Sequence, residues 1–285
     1  MRTKIISFLN NKGGVGKSST VQALAYILSN SYKRKVLIVD IDPQANTTIT
    51  LGNTDFMDLL KQKTGIIKDQ ESLISIEDLV INNNIDIHEA IKQTSIHNVD
   101  IIQALPTLAA VEESLKADIR TPQQFRLRNQ LVKLNDNEYD YVLIDCGPSL
   151  SILNINALVA SDEVFIPTQV DSGSLWGVTM TINELIKPVR SYAPGLTLGG
   201  IFVTRCRDYT TAAREGYRIL EELYPDKLLP ITINENVAVQ NSSQKRIPLP
   251  KLNKRAQATK DYYMLAGYID AADRSTYLRK LMEEG

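Results

Sequence analysis

Short apolar runs alternate along the chain with stretches whose apolar residues recur at helical spacing. Ile5 to Leu9 predicts a buried strand, and Val36-Leu37-Ile38-Val39 predicts a second that ends in Asp40. Val99 to Ile102, Asp140 to Asp145, Asp162 to Pro167, Leu198 to Thr204 and Lys227 to Ile231 read as further strands. Aliphatic runs of this kind suit parallel strands covered on both faces. Between them, Val21, Leu24, Ala25 and Leu28 mark one face of a helix. Helical patterns also fall near 57–60, 75–80, 108–118, 122–135, 153–160 and 178–190, with Leu127, Leu131 and Leu134 as a core stripe. The alternation predicts an α/β fold: a doubly wound, mostly parallel twisted sheet flanked by helices, with ligands at the strands' carboxyl ends. Residues 53–98 interrupt the rhythm and read as a helical connection within a single domain spanning 1–285.

The chemistry concentrates where the first strand meets the first helix. Asn10 to Gly16 is a tight loop with three glycines, Gly13, Gly14 and Gly16. Glycines let successive backbone N–H groups turn toward phosphate oxygens, and the helix N-terminus adds partial positive charge. Lys17 can reach terminal phosphates, and the Ser18 hydroxyl can ligate Mg²⁺. Gly16-Lys17-Ser18 fits the P-loop pattern, but Asn11 stands where its first glycine belongs, and a second lysine, Lys12, follows.

Two later strand ends carry carboxylates. Asp40 and Asp42 share a side if the strand persists, although Pro43 stops simple continuation of the sheet. Such a pair can hold Mg²⁺ through water and orient an attacking water. Asp145 ends the strand Tyr141 to Ile144 and is the third element in P-loop order, suited to anchor Ser18 and the metal's waters.

Lys12-Gly13-Gly14-Val15-Gly16-Lys17-Ser18-Ser19 resembles the deviant Walker A loop of the ParA/MinD ATPases. Asp40-Ile41-Asp42-Pro43-Gln44-Ala45-Asn46 matches the second motif of the DNA-partitioning, ParA/Soj-type branch, and Pro148-Ser149-Leu150 matches the segment after Walker B. Cys146 and Gly147 depart from that pattern. The resemblance implies a P-loop ATPase of the deviant Walker A class, using ATP and Mg²⁺. Residues 12–19 would cradle the phosphates. Lys12 would cross onto the partner's nucleotide in an ATP-induced homodimer, Asp42 would position the hydrolytic water, and Ser18, Asp40 and Asp145 would serve the metal. The family places adenine near segments matching Thr204, Arg205 and Asn234. It also implies non-specific binding of double-stranded DNA, release by a centromere-binding ParB-type partner, and a cytoplasmic, nucleoid-associated location. The chain begins almost directly with the first strand, so the N-terminal helix-turn-helix domain of longer partition ATPases is not expected.

Composition narrows the partners. The net charge of −1 leaves nucleic-acid contact to a local patch. Arg205, Arg207, Arg214 and Arg218 form one basic cluster, and Lys245, Arg246, Lys251, Lys254 and Arg255 a second. Phosphate backbones bind such groups without reading sequence. Cys146 and Cys206 suggest no disulfide framework, which fits a reducing cytosol. His88 and His97 lack partners at metal spacing and read as surface residues. The lone tryptophan, Trp176, is expected to pack rather than stack on a ligand. A MinD-like membrane cycle would need a basic amphipathic C-terminal helix, and the tail closes on Glu283-Glu284-Gly285 with a short apolar face. An iron protein-like electron carrier would need its second cysteine shortly after Asp145, whereas Cys206 lies far beyond it. No stable membrane association is expected.

Overall fold

The computed structural model describes residues 2–53, 56–63, 73–117, 122–206 and 211–284. Its strands are β1 (Lys4–Phe8), β2 (Val36–Asp40), β3 (Ile91–Gln93), β4 (Val99–Ile102), β5 (Tyr141–Asp145), β6 (Glu163–Thr168), β7 (Thr197–Cys206) and β8 (Leu228–Asn234). They form one eight-stranded sheet in the order β3-β4-β2-β5-β1-β6-β7-β8. All neighbours run parallel except β3, which pairs antiparallel with β4.

Burial on both faces explains the apolar runs. Along β2, Leu37 and Val39 join the core on one side of the sheet, while Val36 and Ile38 join the core on the other. The helix Lys17–Asn30 begins at Gly16 and buries Val21, Leu24, Ala25 and Leu28 as the periodicity predicts, and it packs against the helix Gln257–Asp270. Leu127 and Leu131 are buried, with Leu134 packed beside them.

The connection at 53–98 contains helices Phe56–Lys63, Ile76–Ile81 and Ile87–Ala90, but also β3. Three residues are too few for a period-two pattern, so this edge strand leaves no trace in the sequence. The helix predicted at 178–190 starts earlier, at Ser172, where Asp171 accepts the Ser174 N–H. It continues through a π-helical segment, Thr181–Ile186, to Val189. Ser172-Gly173-Ser174 are weak helix formers, and the cap rather than propensity starts the helix.

The C-terminal helix Arg274–Glu284 is fastened to the body. Arg274 makes a bidentate pair with Glu163 (2.8 and 2.9 Å) and lies over the Tyr268 ring at 4.8 Å. Tyr277, Leu278 and Leu281 pack against the core. Among the described residues, no helix is long and apolar enough to cross a membrane.

Candidate functional site

The strand order sets β1 between β5 and β6, with β2 on the far side of β5. The loops that leave their carboxyl ends, 9–16, 41–46, 146–151 and 169–171, therefore line one edge of the sheet. This is the crevice where doubly wound sheets hold ligands.

The first loop turns through left-handed backbone at Gly14 (φ 75°) and Gly16 (φ 86°), a conformation that costs glycine little. Thr204 packs against Gly16, its hydroxyl within hydrogen-bond distance of the Val15 and Thr168 carbonyls (2.8 and 3.1 Å). Asn10 braces the loop as well. Its side-chain amide donates to the Pro167 carbonyl, and its Oδ1 accepts the Lys12 N–H, each at 2.9 Å. The Asn11 N–H donates to the Thr181 hydroxyl at 2.9 Å, so Asn11 sits against the π-helical segment.

The two lysines are held in different ways. Lys17 is buried, and its ammonium donates to the carbonyls of Asn10 (3.1 Å) and Lys12 (3.0 Å). Burial lowers its pKa, and the charges of Asp145 and Asp42 oppose that shift. Lys12 points instead to the start of the helix at Ser172, where its ammonium meets Asp171 Oδ1 at 2.5 Å and Ser174 Oγ at 2.9 Å. Partial burial would raise the Asp171 pKa. Hydrogen bonds from Lys12 and Ser174 outweigh it and hold the carboxyl at about 2.

Asp40 and Asp145 face each other in register across β2 and β5. Asp40 Oδ2 accepts from the Thr48 N–H and hydroxyl, both at 2.8 Å. The strand ends at Asp40, so Asp42 does not continue its alternation. The chain turns, and the Asp42 N–H donates back to Asp40 Oδ1 at 3.2 Å. Asp42 Oδ1 accepts the Gln44 N–H at 2.9 Å. Asp145 Oδ2 accepts from the Thr47 hydroxyl at 2.7 Å, while Oδ1 is buried without a hydrogen-bond partner. Burial pushes the Asp145 carboxyl up to about 6, against the pull of Thr47, Ser18 and Lys17. Burial and the Asp145 charge push Asp40 well above the carboxylate range.

The departures after Asp145 have a structural reason at one position. A Cβ at Gly147 would lie 3.3 Å from Asp42 Oδ1, so glycine keeps that carboxylate's place clear. Cys146 is fully buried, and its pKa is raised by burial and by Asp145. Neither cysteine is joined in a disulfide.

An orphaned buried oxygen between two carboxylates and a lysine suits a hydrated Mg²⁺ with a phosphate ligand. Among the described residues, no three of His, Cys, Asp and Glu converge closely enough to hold a metal alone. An ion here would take ligands from Ser18, water and a bound phosphate, with Asp40 and Asp145 behind the water.

Beside Gly16 and Ser19, a small cleft brings together Thr204, Arg205, Asn234 and Tyr262. Asn234 is tied to Asp261, its backbone N–H donating at 2.8 Å and its side-chain amide at 3.1 Å. A separate cavity of about 670 Å³ lies elsewhere, between Arg2, Arg128, Asp162 and Pro194. It surrounds the starts of β1 and β6, remote from every motif above.

The basic residues divide. Arg207 lies outside the described residues. Arg205 and Arg214 are exposed. Arg218 is exposed but committed, since Glu215 (2.8 Å) and Glu222 hold its guanidinium on its own helix. It therefore adds no free charge to the basic cluster. Lys245, Arg246, Lys251, Lys254 and Arg255 lie at the surface, and none forms an ion pair among the described residues.

Thr47, Thr48, Asp171 and Ser174 escaped the motif reading. Asn46-Thr47-Thr48 directly follows the Asp-Pro-Gln turn, and Asp171-Ser172-Gly173-Ser174 is a helix-capping sequence; these were the available signals. Trp176 is 66% exposed, contrary to the expectation that it packs.

A family described as "AAA domain" matches residues 3–195. The sporulation initiation inhibitor protein Soj of Bacillus subtilis is 32% identical over 94% of this chain and 98% of its own length. The chromosome-partitioning ATPase Soj of Treponema pallidum is 30% identical over 95% of this chain and 98% of its own. The chain belongs to the ParA/Soj family of partitioning ATPases. Among solved structures, cobyrinic acid a,c-diamide synthase from Mycobacterium smegmatis, with bound ATP analog and magnesium, superposes with a TM-score of 0.76. It is 25% identical and covers 95% of this chain and 98% of that one. The family membership and the fold thus agree with the expectation from the loop and the strand-end carboxylates.

Because Asp145 has a folded pKa near 6, above its ordinary value, its burial favours the protonated fold. The stability is fully present below about pH 4 and is lost as pH rises to about 6. Asp145→Asn should therefore melt higher than the parent at pH 7 without nucleotide. The gain should vanish near pH 4, as read by thermal unfolding across that range.

Proposed function

We propose that this chain is an ATPase of DNA partition, plasmid or chromosomal. It closes as a homodimer on ATP, binds double-stranded DNA non-specifically, and is released when a centromere-bound ParB-type partner stimulates hydrolysis. The observation that carries the ATPase reading is the convergence of Lys17, Asp42 and Asp145 on the loop with two left-handed glycines. The partition role rests on the ParA/Soj kinship and on Lys245, Arg246, Lys251, Lys254 and Arg255, which form no ion pair among the described residues.

The residues divide the work. Lys17 can exchange its two carbonyl partners for phosphate oxygens, which regain for the buried ammonium the stabilisation that desolvation removes. Gly13, Gly14, Val15, Gly16, Ser18 and Ser19 supply N–H groups and hydroxyls around the phosphates. Asp42 uses Oδ1 to hold the Gln44 N–H, so Oδ2 can accept from the attacking water and keep it in line with the terminal phosphate. Magnesium, when bound, would neutralise phosphate charge and take Ser18 and water as ligands. Asp40, fixed by Thr48, and Asp145, fixed by Thr47, would orient those waters. Lys12 is held by a pair whose side chains are 33% and 48% exposed, and such a pair is worth about 0–1 kcal/mol. It can leave Asp171 for the triphosphate of a second protomer at little cost. Thr204, Arg205 and Asn234 border the base.

Lys245, Arg246, Lys251, Lys254 and Arg255, joined by Arg205 and Arg214, supply the surface for DNA. A cytoplasmic, nucleoid-associated location follows from that reading. A membrane-cycling role has less support, because Tyr277, Leu278 and Leu281 turn their apolar surface to the protein body.

Asp42→Ala should bind ATP with near-parental affinity yet hydrolyse it roughly 10²-fold more slowly. Normal turnover in a steady-state phosphate-release assay would remove Asp42 from the water-positioning role. Lys251→Glu with Lys254→Glu and Arg255→Glu should weaken DNA binding at low salt. It should also flatten the salt dependence, by about 0.9 in log–log slope for each phosphate no longer neutralised. Unchanged binding in a fluorescence-anisotropy titration would locate the DNA surface elsewhere.

A further inference from the structure

Trp176 is the chain's only tryptophan and stands 66% exposed. It lies on the helix Ser172–Met180, whose capping Asp171 and first-turn Ser174 hold Lys12. The next residue, Gly177, packs so closely that a Cβ there would be 3.2 Å from Lys12 Cβ. On the other flank of the phosphate loop, Pro148 approaches Gly13, and Pro148, Ser149 and Leu150 are exposed, Leu150 by 44%. Because β1 lies between β5 and β6, these segments border a common mouth. On its rim, Lys12 and Asp171 already neutralise each other.

We propose that Trp176, with Pro148 and Leu150, is the apolar anchor through which this chain meets a second copy of itself across the nucleotide mouth. The proposal rests on the dimerisation reading given above and adds the residues that hold the two copies together. Three features favour a second copy as the occupant. A two-fold contact joins a patch to itself, so the patch must be self-complementary. Lys12 and Asp171 satisfy that, since the two are already paired on each copy and neither meets its own twin as an unpaired charge. The anchor also adjoins Lys12, so burying Trp176 against a second copy brings each Lys12 up to the other's mouth. Finally, exposed tryptophans flanked by uncharged residues are the common energetic centres of protein interfaces.

As the only tryptophan, Trp176 reports on its own burial. The test uses the full chain carrying Asp42→Ala, with ATP and Mg²⁺ across a protein dilution series. Sedimentation velocity reads dimerisation, and tryptophan emission is recorded on the same samples. The emission should shift to shorter wavelength with the same concentration midpoint as the dimer. Adding Trp176→Ser should weaken the dimer about 30-fold, as expected for loss of an interface centre worth about 2 kcal/mol. Trp176→Phe should recover much of that affinity, and ATP affinity measured at monomeric dilution should not change. Dimers that form as tightly with Trp176→Ser, without an emission shift in the parent, would overturn the anchor and leave the dimerisation reading standing. Protein that stays monomeric with ATP would remove that reading, and the anchor with it. A shift seen only on anionic phospholipid vesicles, with the protein still monomeric, would assign Trp176 to a membrane surface and also overturn the proposal.

Discussion

Lys17 is a buried cation facing more negative charge than it can balance. Asp40, Asp42 and Asp145 are all buried at the carboxyl ends of β2 and β5, and Lys17 is the ammonium whose field reaches Asp145 and Asp42. Burial first, and the neighbouring carboxylates second, raise the pKa values of Asp40 and Asp145, and Asp145 Oδ1 is left without a hydrogen-bond partner. Such an arrangement costs stability in the free protein, as sites built for a ligand commonly do. It also creates the demand that a hydrated divalent cation and a polyphosphate meet together: the metal answers the carboxylates and the phosphates answer the lysine.

The sheet makes this crowding possible. Parallel strands deliver their carboxyl ends to one edge, and the β5-β1-β6 order sets three functional loops side by side. Threonines then fix the carboxylates. Thr47 and Thr48 donate to Asp145 and Asp40 from the short helix that follows the Asp-Pro-Gln turn. On the opposite flank, Asp171 and Ser174 hold Lys12 apart from Lys17, so the two ammonium groups of one loop serve different surroundings.

Much of this was legible in the sequence because it is contiguous. A strand, a glycine loop and a helix need no tertiary information, and an aliphatic run closed by Asp marks its own carboxyl end. The doubly wound sheet followed from the same alternation. What stayed hidden depends on contacts between distant segments. Asp171 reads as an ordinary helix cap until the fold brings Lys12 to it. Thr47 and Thr48 read as polar loop residues until β5 arrives beside β2. Strand β3 is too short to carry a period. Sequence alone presents Trp176 as a packing residue and Arg218 as one member of a basic cluster. The structure reverses both, exposing the tryptophan and neutralising the arginine.

The account depends most on the division of labour between the two lysines, one for its own nucleotide and one for a partner's. A crystal structure of the protein with an unhydrolysable ATP analogue and Mg²⁺ tests it directly. The account predicts a two-fold pair in which Lys17 contacts the phosphates of its own chain, while Lys12 has left Asp171 and reached those of the other. A closed, nucleotide-loaded pair in which Lys12 remains on Asp171 and Ser174 would contradict it.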